Sequence, residues 1–251
     1  MSKTVIKYVS LTTLGFLVAT STLQHASAIT TQEYNTKGEV TFTTGIDTTG
    51  PVDPQDPTIP ATPVDPSGVN PGGPTMPNSG LTIVYTSSFD FGTQPVSNKA
   101  EVYNAVAQEL SDGTTRTNYV QVADNRGTFS GWNLKIQMTE FKTADTVLIA
   151  NGHETLAGAT VTLDDGELQG TGTANPANIS ATTTVLTPGV QSATILGATA
   201  GHGSGNSLLN FGGKDGTTKD TAVKLSVPAG VAGAAKYTAD LTWTLDDTPS
   251  N

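Results

Sequence analysis

Gly131-Trp132-Asn133-Leu134-Lys135-Ile136-Gln137-Met138-Thr139 decides how the rest of the chain is read. Trp132, Leu134, Ile136 and Met138 alternate with Asn133, Lys135, Gln137 and Thr139, a two-residue period that predicts a β-strand with one buried face. The period returns in Tyr237, Ala239, Leu241, Trp243 and Leu245, with Thr238, Asp240, Thr242 and Thr244 turned the other way, and again in Val223, Leu225 and Val227. Residues 81–86, 118–123, 159–163, 182–186, 192–196 and 207–211 are shorter strand candidates. Turn-forming pairs stand between them: Asp112-Gly113, Asp124-Asn125-Arg126-Gly127, Asp164-Asp165-Gly166, Pro188-Gly189 and Asp215-Gly216. Residues 98–110 offer an amphipathic helix through Val102, Val106 and Leu110, but Tyr103 and Asn104 weaken it and leave strand or irregular structure. Many short strands divided by turns predict an antiparallel β-sandwich or barrel-like domain over residues 81–251.

Composition points the same way. The chain has 251 residues, 44 of them threonine, with 27 glycines, 14 prolines and only 14% charged residues. Threonine is β-branched and suits half-exposed strand faces, whereas a helical bundle needs runs of Ala, Leu, Glu and Lys. The 12 basic and 22 acidic residues give a net charge of −10, which excludes a phosphate-neutralising nucleic-acid surface. No cysteine is present, so neither a disulfide framework nor a thiolate zinc site is available.

Residues 1–28 have the parts of a cleavable secretory signal: Lys3 and Lys7, an apolar stretch over 9–19, and Ala26-Ser27-Ala28 before Ile29. The stretch is shorter than the roughly 20 apolar residues of a membrane span. Cleavage would leave 10 basic against 22 acidic residues, a net charge of −12. No later transmembrane segment and no covalent anchor is expected. Over residues 29–50 the run Glu39-Val40-Thr41-Phe42-Thr43 alternates like one strand, which is either disordered or paired with the downstream domain as an added edge strand. Nine of the 14 prolines fall between Pro51 and Pro77, so residues 51–80 are expected to form a semi-rigid, polyproline-like linker.

Both tryptophans of the chain head the same local pattern, Trp132-Asn133-Leu134 and Trp243-Thr244-Leu245. Around them stand Asn118-Tyr119-Val120-Gln121-Val122, Asp124-Asn125-Arg126-Gly127, Phe89-Asp90-Phe91-Gly92 and the ending Leu241-Thr242-Trp243-Thr244-Leu245-Asp246-Asp247-Thr248-Pro249. With these flanks the chain resembles the WxL family of Gram-positive surface proteins, named for two Trp-x-Leu motifs. The resemblance implies a secreted, wall-located protein held non-covalently to peptidoglycan or another cell-wall polymer. It also implies assembly with other surface proteins, often a membrane-anchored partner, and in some members contact with host matrix. Read from the residues alone, Trp132 and Trp243 share the inward parity of their strands and are expected in the core, because burying such a ring removes about 150–250 Å² from water. Stacking on a sugar at the surface is the other use of the same residue.

Candidate chemistry is otherwise sparse. His153 and His202 sit in glycine-bearing loops, and the His202–Ser204 spacing does not build a nucleophile and base, which meet across a fold with a third group. The loop Gly201-His202-Gly203-Ser204-Gly205 lacks the Gly-Lys-Ser/Thr ending of a phosphate cradle. Asp164-Asp165-Gly166-Glu167 and Asp246-Asp247 carry hard-cation ligands but no regular calcium loop, and turn chemistry accounts for them. The chain is therefore expected to be non-catalytic, without cofactor or metal. It is either a wall-binding module or a structural subunit of a surface complex, held by a membrane-anchored partner through an exposed strand edge.

Overall fold

The computed structural model describes residues 33–34, 36–45, 50–65, 80–170 and 177–250, so the expected signal segment, and residues 66–79 of the expected linker, lie outside the described residues. The chain divides into two compact units, residues 1–41 and 42–251. The second contains β1 (Val52–Asp53), β2 (Asp56–Pro60), β3 (Leu81–Thr86), β4 (Glu101–Asn104), β5 (Gln108–Glu109), β6 (Thr115–Arg116), β7 (Asn118–Asp124) and β8 (Trp132–Met138). A five-residue helix, α1 (Thr146–Ala150), follows. Then come β9 (Thr160–Leu163), β10 (Gly166–Gly170), β11 (Asn178–Ile179), β12 (Thr184–Leu186), β13 (Leu196–Ala198), β14 (Gly205–Phe211), β15 (Val223–Val227) and β16 (Leu241–Asp246).

Among the described residues the strands form three four-stranded sheets, ordered β10-β14-β7-β3, β11-β13-β8-β16 and β12-β9-β15-β4, and two small hairpins, β1-β2 and β5-β6. Every pairing is antiparallel, so the architecture is the all-β one that the alternation predicts. One core joins all three large sheets, through Val120, Val122 and Leu209 of the first, Trp132, Leu134 and Ile136 of the second, and Val161, Leu163 and Val223 of the third. Residues 98–110 hold β4 and β5 rather than a helix. The one helix among the described residues escaped the periodicity because it is a single turn or so; Asp145 caps it, accepting from the Val147 and Leu148 amides at 2.9 and 3.0 Å.

Two expectations need correction. Residues 39–43 form no strand: residues 36–45 are irregular, and the side chains meant to face a sheet, Val40 and Phe42, are 72% and 87% exposed. Alternation alone cannot make a strand where no apolar surface covers its inward face. The expected linker is likewise not an extended spacer over residues 50–65, where it folds into the β1-β2 hairpin with Val52, Asp53, Pro54 and Pro63 buried. Proline lacks only the N–H, and its carbonyl still accepts. Here the Pro54 carbonyl accepts from Asn210 Nδ2 at 2.6 Å and the Pro51 carbonyl from the Ala61 amide at 3.0 Å. The hairpin leaves β7 buried along its whole length, on both faces of its sheet.

Candidate binding groove

The two Trp-x-Leu motifs lie side by side and antiparallel. β8 pairs with β16 so that Leu134 stands opposite Leu245, Ile136 opposite Trp243 and Asn133 opposite Asp246. Partners across a strand pair share a face, and residues two apart do too, so both tryptophans and both leucines turn towards the core side. Their surroundings differ because β8 is an inner strand and β16 ends its sheet. Trp132 is fully buried and donates from Nε1 to the Gly203 carbonyl at 3.2 Å. Trp243, expected to be buried as well, is only half-buried, as are Thr244, Leu245 and Leu241. Asn133 is buried, its Nδ2 donating to the Thr248 carbonyl and hydroxyl at 3.1 and 2.9 Å. This bond ties down the segment that follows β16.

Trp243 borders an open groove of about 1220 Å³. Its walls come from the segment after β3, from β4, from the segment after β8, and from residues 232–241 leading into β16. Six of the 15 aromatic residues of the chain line it: Phe89, Phe91, Tyr103, Phe141, Tyr237 and Trp243, all half-buried. Phe91 meets Phe141 edge-on at 6.2 Å, and Phe89 meets Phe211 edge-on at 6.4 Å, so the rings are braced by one another and by the core. Tyr237 is fixed at its hydroxyl, which donates to the His153 carbonyl at 3.2 Å and accepts from the Gly233 amide at 3.0 Å. The rim is polar: Asp90 accepts from the Gly92 amide at 2.8 Å, Gln94 Nε2 donates to the Phe91 carbonyl at 2.8 Å, and Lys236, Thr238 and Asp240 are exposed. The sequence marked Trp243 but missed the groove, because its walls come from distant segments that only the fold brings together. The one visible signal was aromatic residues at Phe89, Phe91 and Phe141 outside the alternating runs.

The remaining candidates take structural roles. His202 is engaged at Nδ1 with the Thr199 hydroxyl at 3.1 Å and the Ala200 carbonyl at 3.3 Å, while the glycine beside it serves Trp132. Gly203 has φ +80°, and a Cβ there would come within 2.7 Å of Trp132 Nε1. Only glycine lets that backbone lie against the ring. His153 is exposed and contributes its carbonyl to Tyr237. Asp164 accepts from the Thr183 hydroxyl at 2.6 Å and from Lys224 at 3.0 Å, which together hold its carboxyl below the ordinary range. The Lys214 amide, 2.9 Å away, and then the Lys214 ammonium do the same for Glu167. Among the described residues no group of three or more His, Asp or Glu is placed to hold a metal ion. Lys135, Lys142, Lys214 and Lys219 each pair with a carboxylate: Asp246, Glu154, Glu167 and Asp220 respectively.

The all-β domain thus carries, beside its second motif, an aromatic groove whose charged lining is Asp65, Asp90 and Asp240 against Lys236. Residues 29–249 match the family model described as WxL domain, surface cell wall-binding. The chain belongs to the WxL family, a family of surface cell-wall-binding domains rather than of enzymes, and its place is the cell surface. No curated protein and no solved structure matches it. Among the described residues no helix is long and apolar enough to cross a membrane.

Proposed function

We propose that this chain is a non-catalytic surface protein that attaches non-covalently to peptidoglycan through the groove bordered by Trp243. The observation that carries this reading is the set of six half-buried aromatic rings on one open groove. Sugar rings present apolar C–H faces between polar edges, which suits braced aromatic planes with Asp90, Gln94 and Lys236 at the rim. A chain of net charge −10 gains nothing from bulk attraction to a wall bearing carboxylates and phosphates, and Lys135, Lys142, Lys214 and Lys219 are each already paired with a carboxylate. Stacking and hydrogen bonding therefore supply the affinity. A pull-down on protein-free sacculi, across sodium chloride from about 0.05 to 1 M, tests it, since the screening length falls from roughly 14 to 3 Å over that range. Retention unchanged or strengthened by salt supports the groove. Release by salt, with the protein still folded, overturns it in favour of a local charge contact.

A second reading, a subunit of a surface complex held by a membrane-anchored partner and reaching host matrix, draws on the free edges that β4 and β16 leave on their sheets. Retention by sacculi only after such a partner is added would favour it.

A further inference from the structure

Residues 50–65 cover the outer face of the β10-β14-β7-β3 sheet, and the manner of covering defines what that face recognises. Val52 plugs a pocket made by Tyr85, Tyr119 and Leu208, a cluster separate from the main core. Tyr85 and Tyr119 pack against each other with ring centroids 4.8 Å apart. Around this plug the sheet holds the segment by its main chain. Gln121 Oε1 accepts from the Val52 amide at 3.0 Å, and its Nε2 donates to the Gly50 carbonyl at 3.3 Å. Tyr119 donates to the Val52 carbonyl at 3.2 Å, Asn210 to the Pro54 carbonyl at 2.6 Å and Gln169 to the Gln55 carbonyl at 3.0 Å. Gln108 donates to the Val64 carbonyl at 2.7 Å. One side chain of the segment is read by charge: Asp53, 6% exposed, accepts on both oxygens from Arg116 Nε at 2.9 and 2.7 Å.

An apolar plug, a charge pair and side-chain bonds to successive main-chain atoms are the elements of a peptide-recognition site, here filled by the chain's own Val52-Asp53-Pro54. The prolines suit this face, because most of its side chains offer N–H or O–H donors and the segment answers with carbonyls. Fifteen residues, 66–80, separate the segment from β3, and a chain of that length can extend up to about 50 Å. That reach is ample for the face of a neighbouring molecule. We propose that this face docks the 50–65 segment of a second copy, so that copies at the cell surface join by exchanging the segment.

The Asp53–Arg116 pair provides the test, on the chain from residue 29 onward. D53R leaves the face intact but repels its own segment, and R116D does the reverse. Each alone should sediment as a monomer, whereas a 1:1 mixture restores the pair only between molecules and should give a species of twice the mass. A labelled peptide of residues 50–65 should bind the D53R chain at least about tenfold more tightly than the R116D chain, since a buried hydrogen bond to a charged group is worth about that much. A mixture that stays monomeric, while the D53R/R116D double variant regains the wild-type Tm as a monomer, would confine docking to the same chain and overturn the proposal. Unfolding of either single variant would also overturn it, because the segment would then be integral to the fold rather than exchangeable.

Discussion

Trp132 and Trp243 head the same three-residue pattern on adjacent strands, yet one lies sealed in the core and the other forms the side of a groove. An inner strand carries the first and the last strand of the sheet carries the second. A motif thus fixes which way a side chain points, while the strand's place in the sheet fixes whether anything covers it. On the proposed function the two residues have different jobs: Trp132 stabilises the domain and Trp243 meets the ligand that enters the groove.

The comparison is broken most forcefully at Trp132. Trp132→Ala should cost about 3–5 kcal/mol, much of a typical domain's stability, and urea denaturation should show the chain largely unfolded or strongly destabilised. Gly203→Ala comes next, because a Cβ at φ +80° would lie 2.3 Å from the Ala198 Cβ and 2.7 Å from the Trp132 indole nitrogen. We expect a loss of about 2–3 kcal/mol, of the size seen for overpacking. Trp243→Ala should cost less, roughly 1–2 kcal/mol for a ring only partly withdrawn from water, while abolishing retention on sacculi. If instead Trp243→Ala unfolds the domain as severely as Trp132→Ala, the division of labour is wrong. A finer comparison needs no loss of fold: in Trp132→Phe and Trp243→Phe chains, acrylamide should quench the remaining fluorescence of Trp243 several-fold more than that of Trp132.

The smallest effect sets the apolar core against the acidic turns. Asp56, Asp112 and Asp215 are held below the ordinary carboxylate range by the hydroxyls of Thr58, Thr114 and Thr217, Asp164 first by Thr183, and Glu167 first by the Lys214 amide. A lowered carboxyl contributes stability that is complete above its unfolded value, 3.8 for Asp and 4.5 for Glu, and is lost as pH falls through its folded one. Urea midpoints should therefore be level from pH 7 to about 5.5 and decline below about 4. A decline beginning near pH 6 would show that these carboxylates do not set the acid limit.

Much of the fold is legible in the alternation: residues 132–138, 223–227, 81–86 and 207–211 fall inside or on the observed strands. What escaped has physical causes. Tyr237 and Ala239 continue the pattern of β16 but precede the strand, because Thr238 pairs with Lys142 at an isolated bridge and the backbone there shapes the groove. Nothing in a proline-rich run announces that Gln121, Asn210 and Tyr119 wait for the carbonyls of Gly50, Pro54 and Val52, 67 to 156 residues away. For the candidate site, parity correctly turned Trp243 inward, but exposure depends on strand order, which local pattern does not encode.

The pairing of β8 with β16 also sets a clock. Lys135 meets Thr244 across 109 positions of chain, and the Asn133 side chain is satisfied only by Thr248. Contacts so distant in sequence form late and slowly. The sheet that carries both tryptophans cannot assemble until residues 241–248 have been synthesised and brought back to the middle of the chain. A chain cut before residue 241 should therefore leave Leu134 and Ile136 without their cross-strand partners and fail to close its core.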